Sequence, residues 1–328
     1  MANGSAPVRT AGMTDNPAPS TAPQPPRAYT MSPAIWTMLL LLGIVWGASF
    51  LFGRIALREI EPLHLVLMRV TLAAAALILF MLATGRRFPP GKRFLVEILG
   101  LSILNNIIPF SLILYGQKEL GAGLASVINA MTPVWTLLIA NWLTSDEKLT
   151  PRKIAGVVLG FAGVAVLMGG DALTGLGASL TAKLAALGAT ISYGFASIYG
   201  KRFRSVPPIA VATGQLTGST ILMFAICALT VGMPRISGYS PDVFWSVIAF
   251  ALVCTAFAYI LFFRILSAAG ATNVSLVTLL VPVFAVLSGI FVLGETLSPW
   301  HVAGMVLIGL GLLVMDGRVR FPRRTTTF

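Results

Sequence analysis

The segment GAGLASVINAMTPVWTLLIANWL, residues 121–143, recurs 149 positions later as GATNVSLVTLLVPVFAVLSGIFV, residues 270–292. The next segment, EKLTPRKIAGVVLGFAGVAVL at residues 147–167, returns as ETLSPWHVAGMVLIGLGLLV at residues 295–314. Each pair keeps its proline in register, and three glycines match across the two pairs. Weak internal self-similarity of this kind indicates two copies of one structural unit.

The composition of the 328-residue chain is that of a membrane protein. Hydrophobic residues make up 56% of it and charged residues only 10%, whereas soluble domains carry about 25% charged residues. The net charge is +12, but the basic residues lie in short segments between apolar runs and not on one soluble face. We therefore expect the lipid bilayer, and not nucleic acid, as the surrounding partner.

Apolar runs of about 20 residues, the length that crosses a bilayer as a helix, predict an all-α integral membrane protein with ten transmembrane helices. Residues 1–30 are rich in Pro, Ala, Ser and Thr and are predicted to be a disordered tail. Residues 317–328 form a basic tail. The predicted spans are 34–56, 63–84, 95–116, 122–143, 152–169, 179–201, 208–231, 242–265, 271–293 and 299–316.

The distribution of basic residues predicts the orientation. With a cytoplasmic N-terminus, 17 of the 23 Lys and Arg residues fall on the cytoplasmic side and five on the other. Cytoplasmic segments carry the excess of positive charge, so both termini are expected in the cytoplasm.

Each repeat, 34–169 and 179–316, contains five spans. Because five is odd, the two repeats must cross the bilayer in opposite directions, which predicts a site near the membrane midplane where they meet. Pro133 and Pro282 fall at equivalent mid-span positions and are candidate hinges. Glu147 and Glu295 precede the fifth and tenth spans and are candidate gates, or alternatively partners of the helix N-terminus or of basic loop residues.

Arg69 is the one strong charge inside a predicted span, where it costs about 3 kcal/mol. It either faces a cavity and attracts a solute carboxylate, or reaches the interface and pairs with Glu59 or Glu61. The corresponding position in the second repeat is the neutral Gln215.

Aromatic and amide side chains at mid-span depth complete the predicted site. They suit an apolar cavity with a few polar groups, although packing between helices is the alternative for each of them. The predicted lining residues are Arg69, Trp46, Asn105, Asn106, Asn129, Tyr193, Gln215, Tyr259 and Thr278.

Neither a metal site nor a cofactor site is expected. Cys227 and Cys254 lie singly in apolar runs, and the chain contains no HExxH pattern and no Ser/His/Asp set within a span. An intramembrane enzyme is therefore disfavoured.

The segments that carry a family resemblance are WGASFLFGR at residues 46–54, EPLHLVLMR at 61–69 and the two repeated segments 121–143 and 147–167. Over residues 34–316 the chain resembles the EamA-type permeases of the drug/metabolite transporter superfamily. The resemblance implies ten helices around a central cavity and export of a small-molecule solute, such as an amino acid, across the inner membrane by alternating access. A nucleotide-sugar or other metabolite carrier of the same superfamily, and a non-transporting membrane scaffold, remain alternatives. The sequence indicates no oligomeric state.

Overall fold

The computed structural model describes Met1 and residues 31–89, 91–145, 149–168, 180–235, 237–293 and 299–316. All regular structure in these ranges is helical. The helices are α1 (Pro33–Ala56), α2 (Pro62–Ala83), α3 (Lys92–Ser102), α4 (Ile108–Asn129), α5 (Thr132–Leu143), α6 (Pro151–Met168), α7 (Leu180–Tyr199), α8 (Pro208–Thr230), α9 (Pro241–Ala251), α10 (Ala258–Ser275), α11 (Val277–Leu293) and α12 (Pro299–Asp316).

These helices form ten membrane spans in two inverted repeats of five. Five segments are long and apolar enough to cross a membrane by themselves: 33–56, 62–83, 92–120, 208–230 and 241–275. The last of them is kinked at Gly270, whose φ of 85° and ψ of 172° are not helical. Proline stands in the first turn of α1, α2, α8 and α9, where its missing N–H costs no helical hydrogen bond. The predicted tails, apart from Met1, and the candidate gates Glu147 and Glu295 lie outside the described residues.

The third and eighth spans each contain a π-helical turn, at Ile103–Ile107 and Leu252–Phe257. The two turns begin 149 residues apart and are therefore repeat images. A π turn inserts one residue into a helix and rotates the following face by about 100°. Helix α3 continues through the first turn into α4, and α9 through the second into α10.

The fourth and ninth spans are not continuous helices, which corrects the prediction. Helix α4 ends at Asn129 and α5 begins at Thr132, while α10 ends at Ser275 and α11 begins at Val277. Pro133 therefore lies in the first turn of a new helix and not inside a continuous one. Pro282 does lie inside α11, where it cannot donate to the carbonyl of Thr278.

The two repeats interlock through equivalent glycine contacts. A Cβ atom on Gly47 of α1 would lie 2.5 Å from the Phe284 Cβ of α11, and one on Gly194 of α7 would lie 3.1 Å from the Trp135 Cβ of α5. The first span of each repeat thus packs against the fourth span of the other, so any space left at the centre is shared by both repeats.

Candidate solute cavity

A cavity lies where the two repeats meet, and about 60 Å³ of it is open to the centres of water molecules. One water needs roughly 10–15 Å³ by this measure, so the cavity accommodates a few waters or a small organic molecule. Six pairs of repeat-related residues line it, which places it on the axis that relates the repeats: Trp46 and Tyr193, Phe50 and Ser197, Phe110 and Tyr259, Ile113 and Phe262, Asn129 and Thr278, and Thr132 and Val281.

Seven of the nine predicted lining residues lie on the wall of this cavity. The other two, Asn106 and Gln215, are fully buried behind it. The residues on the wall are Arg69, Trp46, Asn105, Asn129, Tyr193, Tyr259 and Thr278.

Arg69 projects from α2 and is only 6% exposed. Its Nε donates a hydrogen bond to Thr255 Oγ1 at 2.6 Å. Its guanidinium carbon lies 3.7 Å from the centroid of the Phe110 ring and 3.9 Å from that of Phe250. Each cation–π contact contributes about 0.5 to 2 kcal/mol, so the two together offset much of the roughly 3 kcal/mol that a charge costs inside a bilayer.

The two terminal amino groups of Arg69 have no hydrogen-bond acceptor among the described residues and contact the cavity. Neither predicted acidic partner reaches them. Glu61 pairs with Lys118 at 2.9 Å, and Glu59 accepts a hydrogen bond from the Ser240 amide at 3.0 Å. Arg69 is also too deeply buried to reach the interface. In the structure Arg69 therefore faces a cavity and does not pair with Glu59 or Glu61.

The repeat image of this arginine site is neutral and closed. Gln215 accepts a hydrogen bond from Asn105 Nδ2 at 3.0 Å. Asn106 Nδ2 donates to Ser219 Oγ at 2.8 Å and its Oδ1 accepts from the Tyr259 hydroxyl at 2.5 Å. These contacts hold Asn105 and Tyr259 at the wall, while Asn106 and Gln215 themselves lie behind it.

Aromatic side chains form a large part of the rest of the wall. Trp46 lies edge-on to Tyr259, with ring centroids 6.4 Å apart, and 5.7 Å from Phe262. The side-chain carbonyl of Asn129, a residue that is 7% exposed, has no hydrogen-bond partner in the described part of the chain. No Asp or Glu is among the described residues of the wall.

The wall of the cavity is not symmetric about the repeat axis. Ser49, Leu114, Gln117 and Phe250 line it, whereas their repeat images Ala196, Phe263, Leu266 and Leu101 do not. Asn105, Ser275 and Val277 also line it, whereas their images Cys254, Ser126 and Ile128 do not. The two repeats therefore contribute differently to the wall in this conformation.

Sequence reasoning missed Phe110, Phe250, Thr255, Ser49 and Gln117. Phe110 has a usable signal, because it lies 149 residues before Tyr259, a predicted lining residue. Thr255 has the same signal, because it lies 149 residues after Asn106, another predicted lining residue. Its contact with Arg69 is seen only in the folded structure, where a π turn carries it.

An all-helical membrane protein with two inverted five-helix repeats around a shared cavity has the architecture of a secondary transporter. The model of the EamA-like transporter family matches residues 34–169 and again residues 180–315. The chain therefore belongs to the EamA-like transporter family and is a membrane transporter.

Curated relatives cover most of the chain. The uncharacterized inner membrane transporter YedA of Escherichia coli K12 is 27% identical over 296 residues, 87% of this chain and 92% of its own. The uncharacterized transporter YoaV of Bacillus subtilis is 22% identical over 277 residues, 84% of this chain and 94% of its own. A solved crystal structure superposes with a TM-score of 0.71 at 20% identity, over 87% of this chain and 99% of its own, which supports the fold.

Proposed function

We propose that the chain is a secondary transporter, and not an enzyme, that exports small organic metabolites, amino acids or related compounds, by alternating access. The observation that carries the proposal is the cavity at the repeat interface, where the terminal amino groups of Arg69 face an otherwise mostly apolar wall. A small concave apolar site with a few directed polar groups is the usual form of a small-molecule site.

The repeat symmetry supports alternating access. Because the repeats are inverted, exchanging their conformations converts a cavity open toward one side into a cavity open toward the other. Ser49 and Gln117 line the cavity whereas their images Ala196 and Leu266 do not, and such an exchange would reverse this difference.

We place the protein in the inner membrane with both termini in the cytoplasm. The excess of basic residues in alternate loops supports this orientation. YedA, which covers a similar length, is named as an inner membrane transporter.

A nucleotide-sugar carrier fits the cavity less well. A diphosphate is usually bound by several basic groups, whereas Arg69 is the one basic side chain among the described residues of the wall. A volume of about 60 Å³ is also small for a nucleotide.

Exchange uptake into proteoliposomes tests the proposal. Purified protein is reconstituted and a panel of labelled amino acids, small carboxylates and small amines is offered, with and without an imposed pH gradient. Saturable uptake of one compound is expected, and Ser49→Trp, which fills the cavity, should abolish it. Ile221→Trp on the exposed surface of α8 is the matched control and should transport normally.

Absence of uptake of every compound by folded protein would contradict the proposal and favour a non-transporting scaffold or a carrier of larger solutes. Equal uptake by wild type and Ser49→Trp would show that the solute takes another path.

A further inference from the structure

We infer that the transported solute is a small carboxylate with a net negative charge, and that the membrane potential drives its export without a coupled ion. This inference rests on the proposed function and names its substrate class. It starts from the guanidinium of Arg69, which is buried at the cavity and has no carboxylate partner among the described residues.

The surroundings of Arg69 determine which of its edges a ligand can use. The Phe110 and Phe250 rings lie against the guanidinium, with centroids 3.7 and 3.9 Å from its carbon, and Thr255 accepts the hydrogen bond from its Nε–H. The donors that remain are those of the two terminal nitrogens, which form the end of the fork. Parallel hydrogen bonds from this fork suit the two oxygens of a carboxylate.

Charge balance distinguishes an anion from a zwitterion. A solute with one negative charge makes the occupied cavity neutral, whereas a zwitterionic amino acid leaves it with a net positive charge. The α-ammonium group of a zwitterion would also need an anionic partner, and the described part of the wall contains no acidic side chain. Unpaired charge is costly in a medium of low dielectric constant, so the cavity favours the anion.

Asn129 is a further polar residue of the wall. Its side-chain carbonyl has no hydrogen-bond partner in the described residues, but it is buried and not open to the cavity in this conformation. Arg69 is therefore the group that selects the solute, a small carboxylate with an apolar body.

The driving force follows from the charge of this solute. Uniport of a monoanion carries one charge across the membrane in each cycle, whichever step moves it. The interior of a bacterial cell is negative, so the potential expels the anion. At equilibrium the concentration ratio of the anion changes about tenfold for each 59 mV.

The test uses proteoliposomes whose potential is clamped by potassium gradients and valinomycin. The probes are labelled lactate and N-acetylglycine, each compared with its neutral amide, and alanine and glycine as zwitterions. The inference predicts that the carboxylates are transported, that their amides and the zwitterions are not, and that the carboxylate ratio changes about tenfold per 59 mV. Arg69→Lys, which keeps the charge, should keep the preference and the voltage dependence at a lower rate.

Transport of an amide or a zwitterion as fast as the carboxylate, or a carboxylate ratio that ignores the voltage, would overturn the inference and leave the proposed function intact. Absence of flux for all of these probes and for the whole uptake panel would instead contradict the proposed function, and the inference with it.

Discussion

The surroundings of Arg69 in the first repeat and of Gln215 at the equivalent position of the second repeat differ in charge and in access to the cavity. In one, Arg69 of α2 meets the π turn of the eighth span through Thr255, between two phenyl rings. In the other, Gln215 of α8 meets the π turn of the third span through Asn105. The arginine has free donors facing a cavity, whereas the glutamine lies behind the wall. One scaffold therefore carries a charged group at the cavity in one repeat and a neutral structural contact in the other.

The largest effect is expected from Arg69→Gln, which makes the two places alike. Uptake should fall by more than about 100-fold, because a hydrogen-bonded charge in a buried site is worth roughly 3 kcal/mol or more. Thermal stability in detergent should stay near that of wild type, since the substitution also removes a buried charge without a described counter-ion. Initial uptake rates and melting curves of the purified variants measure both quantities. Loss of folded protein would show that the arginine is mainly structural.

Thr255→Val should have the next largest effect. It removes the oxygen that fixes Arg69 Nε, so the guanidinium can turn away from its productive position and uptake should fall about tenfold, the equivalent of one hydrogen bond to a charged group. Thr213→Val is the matched control, because the Thr213 hydroxyl is buried and bonds to Ile209 in its own helix. Similar losses in both variants would mean that the Thr255 contact is not special.

Gln215→Leu should affect stability more than transport. It removes the acceptor of Asn105 Nδ2, but also a buried Gln215 Nε2 that has no partner among the described residues, so the net cost should be about 1 kcal/mol. Thermal unfolding in detergent measures this cost, and uptake for each folded molecule should stay within about twofold of wild type. A loss of uptake as large as that of Arg69→Gln would erase the difference between the two places.

Arg58→Gln should have the smallest effect. Arg58 pairs with Asp242 at 3.3 Å, with both side chains more than half exposed, and exposed ion pairs contribute little. Uptake and melting temperature should both match wild type. This variant makes the same chemical change as Arg69→Gln at a solvated site, so a large loss of uptake here would show that charge alone cannot explain the effect at Arg69.

The sequence predicted the repeats and the ten spans well because apolar length and recurring prolines are local signals. It could not predict the breaks at 130–131 and at Leu276, because both lie within continuous apolar runs. For the same reason it could not show that Pro133 stands in the first turn of a new helix, since that depends on where the preceding helix ends.

The lining residues were partly predictable, because the depth of a residue in the membrane follows from its distance along the chain to the ends of its span. The face that a residue presents cannot be counted in this way, because each π turn rotates the next helical segment by about 100°. Asn106 and Gln215 have the predicted depth but face away from the cavity. The aromatic rings around Arg69 come from two distant helices, and only the folded structure brings them together.

The central claim is that the cavity at the repeat interface is the path of the solute. The most direct test measures uptake by Ser49→Cys before and after treatment with an anionic methanethiosulfonate reagent. Wild type serves as the control, because Cys227 and Cys254 are buried. The account predicts that modification stops uptake in the variant alone and that the transported solute slows the modification. Full uptake by protein shown to be modified at position 49 would contradict it.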